Sequence, residues 1–194
     1  MYSKNLFLVS LVFGILYSSN SFANCGLEGS IIDRVSDCHS QLPAELSELQ
    51  SGSKTWNLVA SSDGFGQVWI DVNQGVLWTT AMKKSTFGFS FWSNCNPKSK
   101  YFNAFISKLN MTTSFVVPSL EETKAAYLNG FNFSIFPLLN TSATSSRVWT
   151  QTSVGDIQTV TFDFANGEES ISFDHDEEPL VRCIRKIEDW NEQL

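Results

Sequence analysis

The chain has 194 residues, 42% of them hydrophobic, with four cysteines and a formal net charge of −7. That acidic balance argues against nucleic acid and anionic membrane surfaces as partners, since both require basic surface. The length fits one ordinary domain, large enough to bury roughly 70% of its unfolded surface without help from a metal.

Residues 1–23 read as a cleavable secretory signal. Lys4 makes the n-region positive, Leu6–Tyr17 is a short apolar run, and Ser21 and Ala23 are small residues before a cut at Asn24. The apolar run is short for a bilayer span, which needs about 20 such residues. Lipoprotein processing fits less well, because polar Asn24 precedes Cys25.

Residues 24–62 read as an N-terminal extension. It carries Cys25 and Cys38 and a short helix starting at Pro43, where proline suits the first turn; Ser51-Gly52-Ser53 ends it. From Trp56 short aromatic and β-branched runs take over, as strands do. Residues 63–194 form the main domain. Gln67–Val72 and Val76–Thr80 flank Asn73-Gln74-Gly75, a hairpin with glycine placed for positive φ. Thr86–Trp92 alternates aromatics with small residues. In Lys98–Leu109 a helical period collects Phe102, Phe105, Ile106 and Leu109 on one face.

Ser119 and Glu122 then form a capping box that opens a second helix, closed at Gly130. A polar loop occupies 131–146. Val148–Thr152 and Ile157–Phe164 read as strands around a Gly155-Asp156 turn. Ala165-Asn166-Gly167 turns toward Ser170–Phe173, an acidic loop covers Asp174–Glu178, and Leu180–Ile187 is the last strand. Helices and hairpin-linked strands in this mixture indicate an α+β fold.

Four cysteines in an exported chain favour two disulfides over reactive thiols. Three pairings exist; the preferred one joins Cys25 to its near neighbour Cys38 and Cys95 to Cys183. Six tryptophans are read first as core and strand-face residues, and second as a sugar platform.

Signals for chemistry are sparse. The histidines are His39 and His175, and neither a zinc-protease His pair nor a nucleophile elbow is present. Asp174, Asp176 and Glu177, beside His175 and Glu178, offer oxygen donors that a Ca²⁺ ion would take; the preferred reading of this run is a solvated turn. Asp71–Gly75 starts like a calcium loop, but Met82 stands at its twelfth position. Asp63-Gly64-Phe65-Gly66 precedes no helix, which argues against a phosphate cradle. Asn110, Asn132 and Asn140 are glycosylation sequons that matter only in a host with that machinery.

Several segments, in order, resemble the Lcl C-terminal domain family of bacterial exported domains of unknown function. They are Asp71, Gly75, Val76 and Trp78; Phe115, Pro118, Ser119 and Glu122; Trp149–Thr152; Val160, Phe162 and Gly167; and Val181-Arg182-Cys183-Ile184-Arg185. The chain departs from the family at Phe115-Val116-Val117, which lacks an arginine, and at Cys95, which precedes the first helix of the match. The resemblance covers about residues 68–187. It implies a C-type-lectin-like fold, with two helices against small, mostly antiparallel twisted sheets and long loops on one side. The calcium-dependent sugar signatures of lectins are missing, since Glu178-Pro179-Leu180 lacks the amide residue and Trp190-Asn191 lies beyond the last strand.

The expectation is therefore an exported, non-enzymatic binding domain without a cofactor. It would act in the periplasm, on the cell surface or outside the cell, and meet a protein or glycan through loops 131–146 and 174–179. The alternatives are a structural component of an envelope complex and a thiol-using enzyme, because formylglycine-generating enzymes share the lectin-like scaffold.

Overall fold

The computed structural model describes residues 24–41, 56–62, 66–81, 95–96, 99–111, 114–131, 145–173, 176 and 179–188. Among them the chain is α+β, with three helices and two small antiparallel sheets.

The first helix, α1 (Ile31–Gln41), lies upstream of the expected Pro43 helix, which falls outside the described residues. Its start is a local device. The Ser30 hydroxyl accepts from the Asp33 amide, while the Asp33 carboxylate accepts from the Ser30 amide and hydroxyl. This is a capping box with aspartate at the third position. Arg34 fixes the helix in place. Its guanidinium donates to the carbonyls of Gly26, Gly29, Leu109 and Asn110, at 2.6 to 3.0 Å.

The larger sheet has the order β1 (Trp56–Ser62), β2 (Gly66–Asp71), β3 (Val76–Thr79) and β7 (Ile184–Lys186). The β2–β3 turn forms as expected, with Gly75 at φ 64° and its amide on the Asp71 carbonyl at 2.8 Å. β1 pairs with β2 from Trp56↔Asp71 to Ser62↔Gly66, so residues 24–62 contribute a strand to this sheet.

Both faces of the larger sheet are covered. Val68, Ile70 and Leu77 pack with Phe102, Phe105 and Ile106 of α2 (Lys100–Lys108), in the same cluster as the Cys95–Cys183 disulfide. Trp56, Trp69 and Trp78 face the other way, toward Phe131, Phe162 and Phe164. Burial on two sides explains why these strands read as continuous apolar runs rather than strict alternations.

The smaller sheet is β4 (Arg147–Ser153), β5 (Gln158–Asp163) and β6 (Glu168–Phe173), with α3 (Leu120–Leu128) against β4 and β5. The expected capping box opens α3. Ser119 Oγ accepts from the Glu122 amide at 3.2 Å, and Glu122 Oε2 accepts from the Ser119 amide at 2.7 Å. Gly130, at φ 93°, follows the C-cap Asn129.

The last segment differs from the single strand expected over Leu180–Ile187. Leu180 bridges Val148 in parallel, bonding to Arg147 and Trp149 of the smaller sheet, and the chain then crosses to the larger sheet as β7. It serves two sheets in turn, so no unbroken ladder forms. Thr86–Trp92 lies outside the described residues.

Both favoured disulfides are present. Cys25–Cys38 ties α1 to the segment that bridges Ser61 of β1, and Cys95–Cys183 anchors the approach to β7. No described helix is long and apolar enough to cross a membrane.

Candidate functional site

Where the two sheets meet, an open groove of about 720 Å³ lies between the start of α3, β4 and the outer edge of β7. Its position follows from one short bridge. Val116 and Ile184 exchange backbone hydrogen bonds at 2.8 and 2.7 Å, laying residues 114–117 along β7. Gln151 of β4 holds the far side, its amide donating to the Pro118 carbonyl at 2.7 Å and its side chain to the Val117 carbonyl.

The lining mixes charge with apolar surface. Val116 is 52% exposed and forms an apolar ledge; Arg185, Lys186 and Glu188 supply charge, and Ser114 and Ser119 supply hydroxyls. Glu122 is held on both oxygens. Oε2 takes the Ser119 amide and hydroxyl, and Oε1 takes Lys186 Nζ at 2.8 Å. Burial pushes its pKa up, but the bonds from Lys186 and Ser119 outweigh that and hold the carboxyl below its ordinary range. A carboxylate so engaged is ionised, and three protein donors hold it in a fixed orientation at the groove wall. Ser119, Glu122, Ile184 and Arg185 all line the groove.

Asp71 and Arg182 are charged residues that are fully buried. Asp71 accepts from Asn129 Nδ2 at 2.8 Å and from the Asn73 amide at 3.0 Å; burial nevertheless raises its pKa. Arg182 donates to the Thr79 carbonyl at 2.9 Å and lies 4.8 Å above the Phe131 ring. Burial pushes its pKa down to about 9, which leaves it charged at neutral pH. A guanidinium against an aromatic face recovers part of its lost hydration. Neither residue lines the groove.

Of the residues expected to offer metal ligands, Asp176 ends β6. Its Oδ2 accepts from the Phe173 amide at 2.9 Å and its amide donates to the Phe173 carbonyl at 2.8 Å. Asp174 and Glu177, with His175 and Glu178, lie outside the described residues, as does most of loop 131–146. His39 sits in the last turn of α1. Among the described residues no three His, Cys, Asp or Glu side chains converge on a metal position. Trp56, Trp69, Trp78 and Trp149 are buried, as core residues are, while Trp92 and Trp190 lie outside the described residues.

Sequence reasoning missed the groove because its walls, at residues 114–122, 151 and 184–188, lie far apart along the chain. The Ser119–Glu122 capping box was its one local signal. No protein-family model and no curated protein matches this chain.

Proposed function

We propose that this protein is an exported, non-enzymatic binding domain of C-type-lectin-like fold, similar to the Lcl C-terminal domains. It acts in the periplasm, on the cell surface or outside the cell, and its ligand is a protein or a glycan. The groove beside β7 carries this reading: its mixed apolar and charged lining, built on a disulfide-anchored frame, suits recognition. The signal-like residues 1–23 and the two disulfides support export into an oxidising compartment. A thiol-using enzyme would need a reduced cysteine, and all four are joined in pairs.

Glycan and peptide arrays probed with the secreted protein test this reading, with Val116→Asp and Arg185→Ala variants run beside it. The expected result is a restricted set of binders whose signal drops about tenfold in at least one variant. Binders that both folded variants retain at full strength would overturn the groove as the site, and an empty result on both arrays would overturn the binding reading.

A further inference from the structure

The two sheets have four edges, and three of them are closed by an added segment. Cys25 bridges Ser61 along β1, Val116 bridges Ile184 along β7, and Leu180 bridges Val148 along β4. β6 has no such cover among the described residues.

Its free groups can be identified from the ladder. The Phe164 amide bonds to Ser146, and the Val154 amide to the Gln158 carbonyl, so the even residues of β5 turn their main chain toward β4. The odd residues of β5 therefore bond to Ser170 and Ser172 of β6, leaving Glu169, Ile171 and Phe173 with main-chain groups facing outward. Phe173 is capped by Asp176. Glu169 and Ile171 remain, each with an outward N–H and C=O.

Among the described residues this edge lacks the usual protections. β6 contains no lysine or proline, and its pairing with β5 runs without a register shift. Of seven large hydrophobic residues exposed among those described, Ile171 and Phe173 lie in β6, while Val154 and Ile157 lie in the β4–β5 connection. Apolar side chains gathered at an open strand edge mark an interaction surface. The charge beside them is acidic, from Glu168 in the strand and Asp176 at its end, while Glu169 is paired with Lys124 at 2.7 Å. A second copy pairing edge to edge would set these carboxylates against one another.

We infer that β6 accepts an extended segment of a partner protein as a fourth strand, a segment with alternating apolar residues and flanking basic ones. Main-chain bonds to Glu169 and Ile171 would hold it, apolar contacts with Ile171 and Phe173 would set its register, and acidic residues would select its charge. This surface lies on the smaller sheet and is independent of the groove beside β7. It would suit a component of an envelope assembly.

The test is fluorescence anisotropy of a labelled peptide of alternating valine and lysine, titrated with the full secreted chain. A second peptide of equal charge carries N-methyl groups on the amides that would face β6. The expected result is that Ile171→Lys weakens binding by about tenfold or more, the equivalent of 1.4 kcal/mol. Glu168→Lys should weaken it by about threefold and flatten its salt dependence, and the N-methylated peptide should lose binding. Ile171 is exposed, so near-ultraviolet circular dichroism should report an unchanged core in its variant. Equal binding of both peptides, or wild-type affinity in folded Ile171→Lys, would overturn the proposal. So would self-association of the chain alone that Ile171→Lys abolishes, since a second copy would then be the occupant.

Discussion

The side-chain amide of Asn129 donates a 2.8 Å hydrogen bond to the Asp71 carboxylate, joining the C-cap of α3 to a hairpin turn 58 residues earlier. The Asn129 carbonyl meanwhile accepts from the Trp56 indole at 3.0 Å. One residue thereby ties both sheets' neighbourhoods together, and Asp71 is its buried counterpart. Removing the carboxylate with Asp71→Ala strands the Asn129 and Asn73 donors and should cost about 2–3 kcal/mol in urea unfolding. Burial raises the pKa of Asp71 in the folded state, so the fold binds its proton more readily than the unfolded chain does. Stability from this group therefore increases as pH falls through the raised pKa toward the ordinary 3.8. Asp71→Asn keeps an acceptor and should lose that acid-side gain relative to wild type. A parallel pH dependence in both proteins would contradict the assignment.

The cap of α3 offers a comparison of two effects on one carboxylate. Ser119→Ala removes a capping partner and should cost about 1 kcal/mol. Lys186→Ala removes an ion pair whose lysine side chain is 70% exposed and should cost well under 1 kcal/mol. The pKa of Glu122 is lowered by these bonds, so its contribution is complete above the ordinary value of 4.5 and is lost as pH falls through the lowered one. Chemical unfolding of both variants at pH 7 and pH 3 would check the ranking and the sign.

Loop length ranks the two disulfides. Cys95–Cys183 spans a sequence separation of 88 and Cys25–Cys38 one of 13. In the chain-entropy picture the long loop is worth about 4–5 kcal/mol and the short one about 3. Paired alanine variants should follow that order in denaturant midpoint. The reverse order would show that Cys25–Cys38 owes more to local packing of α1 than to the unfolded chain.

Arg182 separates charge from volume. Arg182→Met fills similar space without a buried cation but leaves the Thr79 carbonyl without this donor, with an expected cost of about 1–2 kcal/mol. Arg182→Ala opens a cavity beside Phe131 and removes the donor to Thr79, with an expected cost of about 3–5 kcal/mol. Thermal unfolding of the pair would test this; equal losses would show that the cation itself holds the site.

Local signals were legible and long-range ones were not. The β2–β3 hairpin announced itself through Gly75, and α3 through Ser119 and Glu122, because each device lies within a few residues of chain. α1 escaped notice because its cap uses Asp33 where glutamate is the familiar partner, and because its buried face is made by Arg34 and Cys38, which break an apolar pattern. The groove and the open edge of β6 depend on which distant segments bridge Ile184, Val148 and Ser61, and no local pattern encodes such choices. The acidic run showed the same limit: Asp176 uses its carboxylate on the Phe173 amide, a role set by where β6 ends.

The double service of residues 180–186 bears on when the protein can fold. Leu180 completes the edge of one sheet and Ile184 the edge of the other, and Cys183 between them closes a disulfide to Cys95. Neither sheet reaches its final form until residues 180–186 have emerged. Such long-range closure slows folding, because loop entropy is spent before the contacts form. Under the proposed export, such a delay would keep the sequence translocation-competent until residues 180–186 arrive in the compartment where cysteines oxidise.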